Sequence, residues 1–330
     1  MSVRVPLTLA CWDYDRTLPL ATGEIRPDGI DLTYLNLPVE ETFFRMARYR
    51  EFDAAELSLS SYVISLCQDA PFIAIPVFPS RSFRHNGIYV HAGSGIDAPA
   101  DLAGRLVGVP EYQLTAAVWI RGILAEHYGV AVGSVRYRTG GLHQPGRTSK
   151  LSHAAPPGVE IQPIPPGATL DGMLAEGGLD ALYSPRTPRR FAAGDPRVRR
   201  LFADPRAEEE RYFAETGIFP IMHVVVLRRD VYERRPWLAQ SLCKAFEQAR
   251  AAAAARMRET AAPGCMLPWL YADIERTQAL MGQDFWPYGL AANEYTLRTF
   301  LRYSHEQHLA GKLLEPADLF APETREAHIV

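Results

Sequence analysis

The sequence Val3-Arg-Val-Pro-Leu-Thr-Leu-Ala-Cys11 runs directly into Trp12-Asp-Tyr-Asp-Arg-Thr17, and this junction decides the fold. An almost uninterrupted apolar run of strand length, ended abruptly by polar residues, predicts a buried parallel strand that leads into a strand-to-helix turn. Ligands of open α/β sheets bind just beyond the carboxyl ends of such strands. The turn therefore predicts a small-molecule site, with Asp13, Tyr14 and Arg16 as candidate residues.

Outward from this turn, short apolar runs alternate with helical patterns. In the first third of the chain, strands are predicted at 5–11, 30–35, 53–57 and 72–78, with helices near 39–49 and 60–68. A second series has strands at 105–109, 134–138, 160–164 and 179–183, with helices near 114–128 and 169–176. This rhythm is typical of an α/β fold with a parallel or mixed sheet covered by helices.

The length of 330 residues favours two domains. Strands predicted near 87–91 and 221–228 bracket the middle third, which indicates that the chain leaves one domain, builds another and returns. We therefore predict a discontinuous domain 1 (1–88 plus 224–330) and an inserted domain 2 (89–223). Two such chain crossings are expected to form a hinge around a central ligand cleft.

Composition narrows the functional classes. With a net charge of −3, the chain has no overall attraction to nucleic acid or anionic membranes, so an anionic ligand requires a local arginine cluster. No apolar run approaches the roughly 18 residues of a membrane helix. Four scattered cysteines and an N-terminus unlike a signal peptide predict a cytoplasmic protein. Whether the protein forms a homo-oligomer is left open.

Polar residues follow two further strands of the first series. Arg81 and Arg84 could clamp a carboxylate, and His85 could supply a proton near neutral pH; the alternative is a solvated loop. Ser58 and Ser60 could bind an anion at the start of a helix, or simply cap that helix.

Two more candidates lie near the predicted cleft. Tyr112 and Gln113 follow strand 105–109 and form the counterpart of the Trp12–Thr17 turn in domain 2, with helix capping as the alternative. His223 interrupts the apolar strand 221–228. A lone histidine in such a strand is more often a core residue, but its place at the predicted hinge makes it a candidate site residue, with a core role as the alternative.

Several apparent motifs predict no site. His305 and His308 are three residues apart, whereas a helical zinc-protease motif requires four, so no metal is expected. The stretch Gly141–Thr148 lacks the lysine and the long helix of a phosphate loop. The arginines between Arg186 and Arg200 are followed by Glu208–Glu210 and are interpreted as solvated surface.

Taken together, the pattern resembles the 4,5-dihydroxyphthalate decarboxylases, a family with a fold like that of type II periplasmic substrate-binding proteins. The similarity covers nearly the whole chain, and its first and last motifs are specific. It rests on these stretches: Trp12–Thr17, Arg81–His85 with Ile88–Val90, Asp101–Val109 with Glu111 and Tyr112, Asp284–Leu290, and Thr299–Gln307.

The resemblance implies decarboxylation of an ortho-dicarboxylated catechol to protocatechuate and CO2 without a cofactor. That chemistry needs a proton donor, for which we expect His85 or His223, and an acceptor for a phenol proton, for which we expect Asp13. Cations must hold the carboxylates, and the leaving carboxylate favours an apolar site. The expected cations are Arg16, Arg81 and Arg84, and the expected aromatic walls are Trp286 and Tyr288.

Two other functions stay open at this point. The same fold serves non-catalytic binding proteins, which use a closing cleft to capture a small aromatic or other organic anion. An enzyme acting on a different aromatic or heteroaromatic acid would share the same residues. Assay of the protein with 4,5-dihydroxyphthalate separates these possibilities.

Overall fold

The computed structural model describes residues 4–147 and 156–326. The strands in these ranges are β1 (Val5–Cys11), β2 (Ile30–Asn36), β3 (Ala54–Ser58), β4 (Phe72–Ile75), β5 (Ile88–His91), β6 (Leu106–Val109), β7 (Arg136–Thr139), β8 (Ile161–Pro163), β9 (Ala181–Tyr183), β10 (Val198–Arg200) and β11 (His223–Arg228). The α-helices are α1 (Leu18–Ala21), α2 (Val39–Tyr49), α3 (Leu59–Leu66), α4 (Thr115–Tyr128), α5 (Leu170–Ala175), α6 (Arg189–Ala192), α7 (Pro205–Thr216), α8 (Arg229–Arg234), α9 (Trp237–Met257), α10 (Leu270–Met281) and α11 (Glu294–Glu306). None of the described helices is long and apolar enough to cross a membrane.

The chain divides into two compact units. Unit 1 comprises Met1–Arg81, Thr216–Arg298 and Leu314–Val330, and unit 2 comprises Ser82–Glu215 and Thr299–Leu313. These divisions lie about seven residues before each of the predicted domain boundaries at 88/89 and 223/224, so His223 belongs to unit 1.

The segment Thr299–Leu313 belongs to unit 2, whereas the prediction assigned it to domain 1. Its side chains pack on α4: the Trp119 ring lies 5.4 Å from that of Phe300 and 5.7 Å from that of Tyr303. Gly122 permits this approach, because a Cβ atom there would lie 2.1 Å from the Tyr303 ring. Local patterning cannot reveal which unit an amphipathic helix covers.

Unit 1 contains a mixed five-stranded sheet in the order β2-β1-β3-β11-β4. β1 pairs in parallel with both β2 and β3, whereas β11 is antiparallel to β3 and to β4. The register places His223 directly opposite Ser58. The core beneath this sheet is formed by strand residues such as Leu9 and Leu227 and by the buried face of α9.

Unit 2 contains a six-stranded sheet in the order β10-β5-β9-β6-β7-β8. β6 to β8 are mutually parallel neighbours, and β5 is antiparallel to β9 and β10. β10 escaped prediction because its three residues, Val198 to Arg200, include two arginines and form no apolar run.

The predicted α/β class is confirmed in both units. α2 spans the predicted residues, because its apolar spacing and its acidic first turn are local signals. β4 ends at Ile75 although the prediction continued to Phe78, since Pro76 has no N–H to extend the ladder.

Candidate active site

A buried carboxylate, Glu56 of β3, organises the carboxyl edge of the unit 1 sheet. Its Oε1 accepts hydrogen bonds from the Tyr14 hydroxyl and from His223 Nδ1, both at 2.6 Å. Its Oε2 accepts from the backbone N–H of Trp12 at 3.1 Å and from the Cys11 thiol at 3.6 Å. The carboxylate therefore joins residues from the β1 turn, β3 and β11.

Sheet register explains this meeting. Opposite residues of antiparallel strands project to the same face, and alternate residues along a strand share that face. Because His223 faces Ser58, Glu56 lies diagonally beside His223 on the same face. The parallel β1 ends beside β3, which brings Trp12 and Tyr14 to the same place.

The Trp12–Thr17 turn is held by its own hydrogen bonds. The fully buried Thr17 hydroxyl donates to the Trp12 carbonyl at 3.1 Å and accepts from the Tyr14 N–H at 3.2 Å. Pro19 in the first turn of α1 suits a helix start, where its missing N–H costs nothing. The turn thus presents the Tyr14 ring toward β3.

Electrostatics keep Glu56 ionised. Burial by itself would raise the pKa of Glu56, but the His223 charge and hydrogen bond, with those of Tyr14 and Trp12, outweigh it and lower the pKa. Burial, together with the same carboxylate, raises the pKa of the Tyr14 hydroxyl and of the Cys11 thiol. Tyr14 and Cys11 consequently stay protonated and act as donors.

His223 is anchored through one nitrogen and open at the other. Since Glu56 only accepts, Nδ1 carries the proton of their hydrogen bond. Nε2 has no hydrogen-bond partner among the described residues and is not sealed from solvent, and 17% of the side chain is exposed. The Phe43 ring packs edge-on at 4.8 Å and limits imidazole rotation. The arrangement can exchange a proton at Nε2.

Arg16 lies beside this pair within an aromatic stack. Its guanidinium carbon is 4.2 Å from the centroids of both the Tyr14 and Trp286 rings. Nε donates to the Pro79 carbonyl at 2.6 Å and Nη1 to Asp15 at 2.9 Å. Within the described chain, Nη2 has no hydrogen-bond partner, so a fixed cation keeps one edge for an anion.

Arg81 is engaged in hydrogen bonds within the fold, which argues against the predicted carboxylate clamp. It is buried and donates to the carbonyls of Phe219 at 3.1 Å and Pro287 at 2.8 Å, and to the side-chain amide of Asn293. Burial lowers the pKa of Arg81 to about 9. Its bonds hold the segment that carries Trp286, and they leave little of the guanidinium for a ligand.

The remaining predicted residues of unit 1 have varied surroundings. Ser58 caps α3 by accepting from the Ser61 N–H at 3.4 Å, and Ser60 is fully buried in that helix. Asp13 is exposed at the turn. Tyr288 packs against the core, where burial raises the pKa of its hydroxyl.

His85 lies in unit 2, enclosed by aromatic rings. It is 1% exposed, and the rings of Tyr128, Phe202 and Tyr212 lie 5.3–6.1 Å from its own. Burial lowers the pKa of His85 to about 4. An enclosed imidazole with a lowered pKa is a poor proton donor near neutral pH, so this placement favours His223 over His85 as the expected proton donor.

Arg84, Tyr112 and Gln113 are also buried in unit 2. Burial lowers the pKa of Arg84 to about 10. Tyr112 stacks on the Arg121 guanidinium at 3.7 Å, and Gln113 donates to Glu111 at 2.8 Å. These contacts tie Tyr112 and Gln113 into their own unit.

Glu56 is the site residue that sequence analysis missed. The sequence predicts a strand over residues 53–57 and gives Glu56 no role in a site. The available signal was the charge itself, because an acid inside a buried strand must be paired or hydrogen-bonded. Among the described residues no cluster of three or more His, Cys, Asp or Glu is arranged for a metal ion.

Comparison with known proteins identifies relatives of this chain. A 4,5-dihydroxyphthalate decarboxylase from Comamonas testosteroni is 42% identical over 325 residues, covering 98% of both chains. The chain belongs to the 4,5-dihydroxyphthalate decarboxylase family. A Pseudomonas putida protein of the same name is 42% identical over 211 residues, 64% of this chain and 82% of that one. The predicted family resemblance is confirmed, although no model of a known protein family matches the chain.

Solved structures confirm the predicted periplasmic-binding-protein-like fold. The periplasmic aliphatic sulphonate binding protein SsuA from Escherichia coli superposes with a TM-score of 0.55 at 12% identity, covering 96% of this chain and 91% of that one. The desulfurization enzyme DSZB gives a TM-score of 0.50 at 17% identity, covering 97% of both chains. By name, one neighbour is a binding protein and the other an enzyme, so the fold alone does not separate capture from catalysis.

Proposed function

We propose that this protein is a carboxy-lyase that converts 4,5-dihydroxyphthalate into protocatechuate and CO2. Membership of the decarboxylase family supports the reaction and its substrate. One observation carries the mechanism: His223 is held at Nδ1 by the ionised Glu56 and is open at Nε2. Protonation of a ring carbon requires a proton donor, a role that such a pair can fill and that a binding protein does not need.

His223 is the proposed proton donor. Glu56 stabilises the imidazolium and keeps Nδ1–H engaged, which directs the transferable proton to Nε2. That proton forms a new C–H bond at the ring carbon bearing the leaving carboxylate. The C–C bond then breaks, its electron pair returns to the ring and restores aromaticity, and CO2 departs. His223 recovers its proton from solvent.

Activation of the ring requires a base for a phenol proton. Each carboxylate of the substrate lies para to a hydroxyl, so deprotonating that hydroxyl raises electron density at the carbon to be protonated. Tyr14 cannot serve, because burial and Glu56 raise the pKa of its hydroxyl. Asp13, exposed next to Tyr14, is the proposed acceptor, and it returns the proton to the phenolate oxygen once CO2 has left.

The two carboxylates are proposed to occupy different surroundings. The stacked Arg16 offers its Nη2 edge to the retained carboxylate, with Ser58 at the neighbouring strand end. The leaving carboxylate is proposed to face the aromatic wall of Trp286, since tight binding by a cation would oppose its loss. His85, Arg84, Tyr112 and Gln113 have no part in this proposal.

We further propose the cytoplasm as the compartment. All four cysteines, Cys11, Cys67, Cys243 and Cys265, are free thiols. Free thiols suit a reducing compartment.

The deciding test is assay of the purified protein with 4,5-dihydroxyphthalate, following protocatechuate by chromatography. Wild type should turn over, and His223→Gln should lose about 10²–10⁴-fold in kcat with little change in KM, because a general acid contributes that much. His308→Asn, an exposed histidine of unit 2, is the matched control.

Each contrary outcome has a defined meaning. A thermal shift with the substrate but no turnover would favour the binding protein. Absence of both would favour another aromatic acid as substrate. Wild-type kcat in His223→Gln would remove His223 from the mechanism.

A further inference from the structure

A pocket of about 150 Å³ lies within unit 1, between α9, α10 and residues 283–286. Its apolar wall comprises Ala253, Ala254, Met257, Ile274, Phe285 and Trp286. Glu56, Ser58 and His223 do not line it. Although Arg16 and Trp286 border both places, the pocket is thus separate from the proton-transfer residues.

The volume and wall of this pocket define the body of its ligand. An apolar cavity of about 150 Å³ is large enough for a benzene molecule. Phe285 and Trp286 supply ring faces and edges, which favour an aromatic occupant over an aliphatic one. The adjacent alanines Ala253 and Ala254 of α9 leave the space that a larger side chain would fill. One six-membered ring fits these walls.

Charge defines the head group of the ligand. Three arginines and two acids line the pocket, and two of the arginines are paired: Arg16 with Asp15 at 2.9 Å and Arg250 with Asp284 at 2.6 Å. The exposed Arg258 donates only to the Gln283 carbonyl, at 3.3 Å, and forms no ion pair within residues 4–147 and 156–326. Arg258 is thus the lining arginine that has no carboxylate partner among these residues.

We propose that this pocket is a second ligand site, which binds a single-ring aromatic carboxylate with its ring against Phe285 and Trp286 and its carboxylate on Arg258. The ring provides apolar burial that a small inorganic anion lacks. The carboxylate accepts charge-assisted hydrogen bonds from the guanidinium. The assignment does not depend on the decarboxylation proposed above, because it concerns binding only.

The test uses 4-fluorobenzoate as the probe, followed by fluorine NMR on the full-length protein. Wild type should show saturable binding at this pocket, and Ala254→Phe should abolish it by filling the space. Arg258→Gln should weaken it roughly tenfold, the effect of losing a hydrogen bond to a charged group. Ala255→Phe, an exposed position one residue further along α9, should bind as wild type.

A turnover assay separates this pocket from the His223 site. Ala254→Phe is expected to keep wild-type kcat with 4,5-dihydroxyphthalate while losing the 4-fluorobenzoate site. Equal binding stoichiometry in wild type and Ala254→Phe would overturn the proposal, since the probe would then lie elsewhere. Absence of saturable binding by wild type would also overturn it, whether or not the protein decarboxylates.

Discussion

His223 in unit 1 and His85 in unit 2 are both largely enclosed, but their neighbours differ in kind. His223 has a buried carboxylate at 2.6 Å and one open nitrogen, whereas His85 is surrounded by three aromatic rings. A carboxylate stabilises the imidazolium, and an aromatic enclosure removes water without replacing its hydrogen bonds. The comparison teaches that burial alone does not make a histidine catalytic; its partner does.

The largest expected effect comes from removing that partner. Glu56→Gln keeps the shape of the side chain but leaves His223 without a counter-charge. We expect kcat for 4,5-dihydroxyphthalate to fall by about 10²- to 10³-fold with KM nearly unchanged, as breaking a buried ion pair costs several kcal/mol. Steady-state kinetics measure this, with the exposed Glu51→Gln as control. A wild-type kcat in Glu56→Gln would contradict the claim that the carboxylate partner makes His223, and not His85, catalytic.

The second expected effect is on the pH dependence of stability, and it tests the environment of His85. Because burial lowers the pKa of His85 from 6.5 to about 4, the unfolded chain takes up a proton first as the pH falls. The stabilisation is complete above about pH 6.5 and is lost as the pH approaches 4. Between pH 7 and pH 5, protonation of His85 in the unfolded chain lowers the free energy of unfolding by about 2 kcal/mol. Urea unfolding of wild type and His85→Phe at both pH values measures it.

The outcome for His85→Phe has two parts. Its free energy of unfolding should depend less on pH than that of wild type, by about the 2 kcal/mol above. Its kcat at pH 7 should stay within about twofold of wild type, because His85 has no part in the proposed reaction. A loss of kcat on the scale of His223→Gln would show that the roles assigned to the two histidines are reversed.

The smallest effect extends the comparison to two arginines. Arg16 is stacked between two rings with one edge open, whereas Arg84 is buried in unit 2. Arg16→Lys keeps the positive charge but loses the stacking of the planar guanidinium on the two rings and its paired N–H donors. We therefore expect KM to rise by about tenfold, with a smaller change in kcat. Arg84→Lys is the matched control and should leave KM unchanged. An equal rise in KM for both variants would refute the carboxylate role of Arg16.

Elements with strong local signals could be predicted from the sequence. β1 and α2 have the predicted bounds, because an apolar run and a helical period are written within a few residues. The three residues of β10 lack such a signal. The part of α11 from Thr299 onward belongs to unit 2 rather than to the predicted domain 1, because its packing partner, α4, lies far away in sequence.

The candidate site was predictable only in part. Strand ends drew attention to Tyr14, Arg16 and Ser58, which the structure places in unit 1 near His223 and which remain predicted site residues. The same rule also selected Arg81, whose guanidinium is occupied by backbone carbonyls and Asn293. Proximity to a strand end therefore indicates the region of a site, but it does not predict where a given side chain points.

The sequence by itself determined that a polar turn, Trp12–Thr17, follows a buried strand in an α/β fold, because strand formation and its interruption are local properties. Only the tertiary structure decided which acid serves that turn. Glu56 and His223 are 167 residues apart, and the antiparallel pairing of β3 with β11 brings them together. Register is set by the packing of the whole sheet, so Asp13, the acid nearest in sequence, is exposed while Glu56 occupies the centre of the site.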